Sequence, residues 1–181
     1  MHLLAITPGE GFRPEVWAPV LASGIDAFLI REPQLPAGAL EAAATWCRAE
    51  HPGVALWVRG LAGSAWGLHL PESALEAADL RGASAPLHHP DQWPTRARAA
   101  QLLVSPIFET PGKGPAWGPA GLRAFLDRLP EGGPRLLALG GITPARIADL
   151  RHPRLAGLAA IRPFWTGDPK ATVAAFRKAW G

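Results

Sequence analysis

Apolar residues fall along the chain in short unbroken runs. Leu3-Leu4-Ala5-Ile6-Thr7 is closed by Pro8-Gly9, and Ala27-Phe28-Leu29-Ile30-Arg31-Glu32 by Pro33. Val54 to Arg59 stops at Gly60, Gly67-Leu68-His69-Leu70 at Pro71, and a weaker run covers Asp79 to Ser84. Gln101 to Ser105 leads into Pro106-Ile107-Phe108, Arg135 to Leu139 stops at Gly140-Gly141, and Gly157 to Ile161 stops at Arg162-Pro163. A strand with one wet face alternates apolar and polar residues. These runs do not alternate, so they predict strands covered on both faces, as in a parallel sheet flanked by helices.

The segments between the runs carry helical spacing. Residues 36–50 place Leu40, Ala43, Ala44 and Cys47 on one face, with Pro36 at the start. Residues 118–129 do the same with Leu122, Phe125, Leu126 and Leu129. Thr143-Pro144 and Asp168-Pro169 each read as an N-cap followed by proline in the first helical position, the second opening a helix with Val173, Phe176 and Trp180 in a stripe. The segments after the third, fourth and fifth runs are short, and full helices are least expected there. Eight strand–helix units predict a small (β/α)8 TIM barrel, or else a doubly wound sheet, in a single domain over residues 1–181.

Composition narrows the setting. Hydrophobic residues make up 48% and charged residues 18%, which excludes a disordered chain. The net charge of +3 is spread along the sequence, so neither nucleic acid nor a membrane surface is expected as a partner. The single cysteine, Cys47, excludes an internal disulfide framework. No apolar run approaches a membrane span, and the start lacks a basic segment before its apolar stretch; a cytoplasmic protein is the expectation. Asn is absent and Pro reaches 20, which fits either heat adaptation or a GC-rich genome.

In a barrel the chemistry sits at the carboxyl ends of the strands. The polar residues there are Thr7, Arg31, Glu32, Arg59, His69, Ser84, Ser105, Glu109, Thr110, Lys113 and Arg162. The turns after strands seven and eight, with Gly140, Gly141, Ile161 and Arg162, suit a phosphate, since glycine allows close backbone approach and Arg162 adds a bidentate donor. Gly140-Gly141 reads equally as a tight turn. The loop Ser105 to Gly114 brings hydroxyl, carboxylate and ammonium groups over the barrel mouth, and Lys113 is one of three lysines in an arginine-rich chain. Tandem His88-His89, ahead of Pro90, is expected to face solvent.

Five of these segments, in order, resemble the thiamin phosphate synthase/TenI superfamily of small TIM barrels. Gly24 to Glu32 resembles its second strand, which ends in a Gln-Leu-Arg-Glu-Lys-like motif. Gly67-Leu68-His69-Leu70 resembles Gly-Val-His-Leu-Gly, and Ser105 to Lys113 resembles Gly-Pro-Val-Phe-x-Thr-x-x-Lys. Leu139 to Pro144 resembles Ile-Gly-Gly-Ile before a helix, and Gly157 to Phe164 the closing strand. The resemblance implies that Arg31, Ser84, Thr110 and Lys113 face anionic groups, that Gly141 and the backbone near Ile161 hold a thiazole phosphate, and that His69 lies near the pyrimidine end of the site.

The departures from that pattern carry a prediction. The two aspartates that hold Mg²⁺ in the synthases fall on Val58 and Ala74, which cannot bind a metal, although Glu72 is near. The resemblance therefore implies a TenI-like thiazole tautomerase: metal-free proton transfer on a thiazole carboxylate phosphate, with no cofactor. The alternatives are a thiamin phosphate synthase with a rebuilt Mg²⁺ site and a non-catalytic phosphate-binding barrel. The TenI-type histidine position is Pro106, so His69 and Glu109 are the expected acid/base residues. Arg31 would clamp the carboxylate, Gly141, Ile161 and Arg162 the phosphate, and Trp57 would stack on a flat ring or fill the old pyrimidine site. Homologues of this fold commonly pair, so the resemblance leaves a homodimer open, and the sequence itself does not show one.

Overall fold

The structure is a computed structural model describing residues 1–76 and 78–181. Among the described residues, eight parallel strands close into a barrel in sequence order. They are β1 (His2–Ile6), β2 (Ala27–Ile30), β3 (Ala55–Arg59), β4 (Gly67–His69), β5 (Ser84–Leu87), β6 (Gln101–Val104), β7 (Arg135–Leu139) and β8 (Gly157–Ala160). Closure joins β1 to β8, with Leu3 opposite Leu158 and Ala5 opposite Ala160. The helices are α1 (Pro14–Leu21), α2 (Ala37–Glu50), α3 (Trp93–Arg96), α4 (Gly118–Leu126) and α5 (Pro169–Trp180).

The unbroken apolar runs are explained by two separate cores. Leu4, Ile6, Ala27, Leu29, Leu103, Leu137 and Ala159 point inward and fill the barrel. Their neighbours Leu3, Ala5, Phe28, Ile30, Leu102 and Leu136 point outward, into the layer shared with Trp17, Phe164 and Phe176. Every residue of β2, β6 and β8 is buried. Successive side chains leave a strand on opposite faces, and here both faces are dry, so period two is invisible in the sequence.

Three local expectations change. The fifth strand begins at Ser84, where the sequence run was expected to end, and the stretch before it contributes only an antiparallel bridge between Arg81 and Ala99. Thr143-Pro144 opens two 3-10 turns, Pro144–Arg146 and Ala148–Leu150, and the Thr143 side chain makes no capping bond. Asp168 does cap α5, its carboxylate accepting from the Lys170 N–H at 2.9 Å. The helix α1 had no clear signal of its own; it is held by Trp17, Val20 and Leu21 turned into the core.

Candidate active site

The strand register sets the site. One residue beyond the Ile30–Val58 pair, Arg31 comes beside Arg59; Arg59 pairs with His69, and His69 with Ser84. Arg31, Arg59 and His69 thus stand in a row at the carboxyl ends of β2 to β4, with Ser84, the first residue of β5, beside His69. Inward-pointing Ile6, Leu29, Leu103, Leu139 and Ile161, near the carboxyl ends of their strands, form an apolar floor. Above it opens a cavity of about 550 Å³, walled by Arg31, Arg59 and His69 on one side and roofed by Thr110 and Lys113 from the loop after β6.

Two of the three wall residues, Arg31 and His69, are held from behind. The Thr7 hydroxyl accepts the Arg31 backbone N–H at 2.8 Å. Glu32, 1% exposed, accepts from the Gly9 and Gly11 N–H groups and the Gln34 amide, so it ties down the loop after β1 rather than reaching substrate. His69, 6% exposed, has Nδ1 on the Ser84 hydroxyl at 2.9 Å, and that oxygen also accepts the Gln101 amide at 3.3 Å. Ser84 therefore stands behind His69 rather than on the cavity wall. Burial, then the neighbouring Arg59 and Arg31 guanidinium groups, push the His69 imidazole down to about 4. It is neutral at pH 7.

The other expected residues divide. Thr110, Lys113 and Ile161 line the cavity together with Gly140. Gly141 turns away: its φ is +65°, and a methyl group there would lie 2.8 Å from Cβ of Phe108. Gly140, at φ +103°, is equally pressed against Pro106. The glycine pair thus lets the loop after β6 cross the end of β7, where Phe108 N–H donates to the Gly140 carbonyl at 3.0 Å. Arg162 and Glu109 are both exposed, and neither lines the cavity. Trp57 packs on the inner core, its ring occupying the space over Gly67, where a methyl group would come within 2.4 Å. It fills the barrel and does not face the cavity.

His88 and His89, expected to face solvent, both line the cavity just beyond β5, and Arg59, one of the strand-end polar residues, lines it as well. Arg59 had a signal, being the polar residue that ends an apolar run. His88 follows the fifth strand only once that strand is moved to Ser84–Leu87, so its position was hidden by the misplaced strand.

Glu72 is the one carboxylate among the described lining residues, and its Oε1 accepts from the buried Arg96 and from Gln92. Among the described residues no group of three His, Cys, Asp or Glu side chains is placed to hold a metal ion. The side chains present do not fit a Mg²⁺ site of the synthase kind.

No protein-family model matches the chain, and no curated protein matches it. Solved structures do match in fold. A thiamine phosphate pyrophosphorylase from Pyrococcus furiosus superposes with a TM-score of 0.77 at 19% identity, over 99% of this chain and 95% of that one. The thiamine phosphate pyrophosphorylase from Bacteroides thetaiotaomicron gives 0.72 at 18% identity, over 99% and 97%. A 3-keto-L-gulonate-6-phosphate decarboxylase from Vibrio cholerae gives 0.62 at 15% identity, over 99% and 97%. At these identities the likeness is one of fold, a small TIM barrel shared by enzymes of several chemistries. No described helix is long and apolar enough to cross a membrane.

Proposed function

We propose that the protein is a metal-free tautomerase acting on a thiazole carboxylate phosphate. The observation that carries this reading is the convergence of Arg31, Arg59, His69 and Lys113 on one cavity with an apolar floor. The three cations make no ion pair among the described residues, and a flat, doubly anionic heterocycle satisfies both the charge and the floor. A guanidinium is the natural partner of a carboxylate, and Arg31 with Arg59 can clamp one bidentately. The phosphate lies toward Gly140 and Ile161 or under Lys113, all of which line the cavity. Held at both ends, the ring is fixed against His69, which is neutral and meets the substrate by hydrogen bonding.

Proton NMR of the purified protein with the unconjugated tautomer, chelator present, tests this directly. Conversion faster than the uncatalysed control is the expected result; no acceleration by folded protein sinks the reading. His69→Ala is expected to lower turnover while leaving binding intact, and unchanged turnover would remove His69 from the mechanism.

The match in fold to thiamine phosphate pyrophosphorylases favours thiamin phosphate synthesis as the second reading. Product formed only when Mg²⁺ and the pyrimidine diphosphate are added would establish it in place of the first.

A further inference from the structure

A tautomerase needs a group that accepts a proton and returns it, and the cavity offers few. Arg31 and Arg59 hold their protons at any working pH. Protonating His69 would place a third cation beside them in a buried position. Glu109 does not reach the cavity. His88 and His89 remain; the His89 ring is two-thirds exposed and faces the exposed Asp91 carboxylate at 3.9 Å, whereas the way His88 is held distinguishes it from the others.

The His88 Nδ1 lies 2.8 Å from the Ser105 carbonyl oxygen. A carbonyl only accepts, so Nδ1 carries the hydrogen, and the neutral ring has its lone pair on Nε2. Nε2 faces Oε2 of Glu72 at 3.7 Å, and both side chains line the cavity. The other Glu72 oxygen is held by Arg96, which is itself anchored on the Pro86 carbonyl, and by Gln92. The Gln92 side-chain oxygen in turn accepts the backbone N–H groups of His88 and His89, at 2.8 and 3.0 Å. Backbone and ring of His88 are therefore both fixed, with a carboxylate oxygen left free to face the imidazolium that would form. This is the arrangement of an oriented acid/base: ring hydrogen on a carbonyl, the second nitrogen left with its lone pair on a residue that lines the cavity, counter-charge alongside.

We infer that His88 is the catalytic acid/base of this site, with Glu72 as its positioning and charge-balancing partner; the inference rests on the tautomerase reading. Nε2 takes a proton from the substrate carbon as that C–H bond breaks. The electron pair moves into the conjugated system, and the imidazolium returns the proton to the far end of that system. No proton or electron is gained or lost over the cycle. The charged groups around the ring are Glu72, the Arg96 that holds it, and Lys113 across the cavity.

The test combines turnover with the state of the ring in the full-length protein. His88→Gln is expected to lower kcat on the order of 10²- to 10³-fold, with substrate affinity changed less than about threefold, and to remove the acid limb of the pH profile. Added imidazole is expected to restore part of the activity of His88→Ala. Nitrogen-15 shifts should show the neutral His88 ring protonated at Nδ1. Glu72→Gln is expected to displace the pH profile and to lower kcat less than His88→Gln does. Wild-type conversion that survives His88→Gln, or a ring protonated at Nε2, overturns the role of His88 and leaves the tautomerase reading standing. No conversion by the wild-type protein overturns both.

Discussion

His69 is set by its surroundings more than by its own chemistry. An imidazole that is 6% exposed, with Arg59 and Arg31 alongside, gives up its proton far more readily than a free one. The consequence for stability follows from linkage. Its folded value, about 4, lies below the usual 6.5, so between those values the unfolded chain binds more protons than the folded one. The stability present above pH 6.5 is lost as pH falls toward 4, by on the order of 3 kcal/mol if this group acts alone. Denaturant midpoints for the wild type should fall over that range, and those of His69→Gln should fall less. The His69 ring should show no inflection between pH 5 and 8 in an NMR titration.

Arg59 shows the opposite balance, between a cost in the free protein and a gain in the bound one. Two guanidinium groups on neighbouring strand ends repel, and no carboxylate offsets them among the described residues. Arg59→Gln should leave the melting temperature unchanged or raise it, and should raise the His69 pKa. It should weaken an anionic ligand about 10- to 100-fold, the loss of one charged hydrogen-bonding partner. Calorimetric titration at two salt concentrations checks this, since the wild-type affinity must fall with ionic strength more steeply than that of the variant.

The elements differ in how locally they are specified. The α5 helix has its cap, its proline and its apolar stripe in sequence order, and the structure keeps all three. Asp168→Ala should cost about 1 kcal/mol, read as a shift in urea midpoint. After Thr143 the same cap-and-proline pattern yields only 3-10 turns. Propensity starts a helix, but its length depends on an apolar face long enough to pack, and that stretch buries only Ile147 and Leu150. The Gly140-Gly141 turn was read as a phosphate contact or a tight turn; the crossing of the loop after β6 is what requires it. Gly141→Ala meets a positive φ and the Phe108 side chain together, so it should destabilise the protein by about 1–3 kcal/mol and disturb Lys113 through the shared loop. Thermal unfolding and ligand titration of that variant separate the two effects.

At the scale of the whole molecule, the barrel was legible because strand burial is a local property. A segment covered on both faces must be apolar throughout, whatever it pairs with, and eight such runs in order allow few ways to arrange them. Arg31, Thr110 and Lys113 were legible for a related reason: in a barrel the ends of strands and the loops beyond them share one mouth. Residue identity could not say which polar group stands behind another. Ser84 supports His69, Glu32 ties down a loop, and Trp57 fills the barrel, because the closed register turns each to a particular side. Nor could it join His88 to Ser105 and Glu72, which lie 17 and 16 positions away in a chain that only barrel closure brings together. The sequence by itself determined seven of the eight strands, their order and the supply of charged groups, since hydrophobic burial acts segment by segment. Tertiary structure alone decided which of those groups face one cavity and which ring nitrogen is free, since hydrogen-bond partners are chosen by position in space.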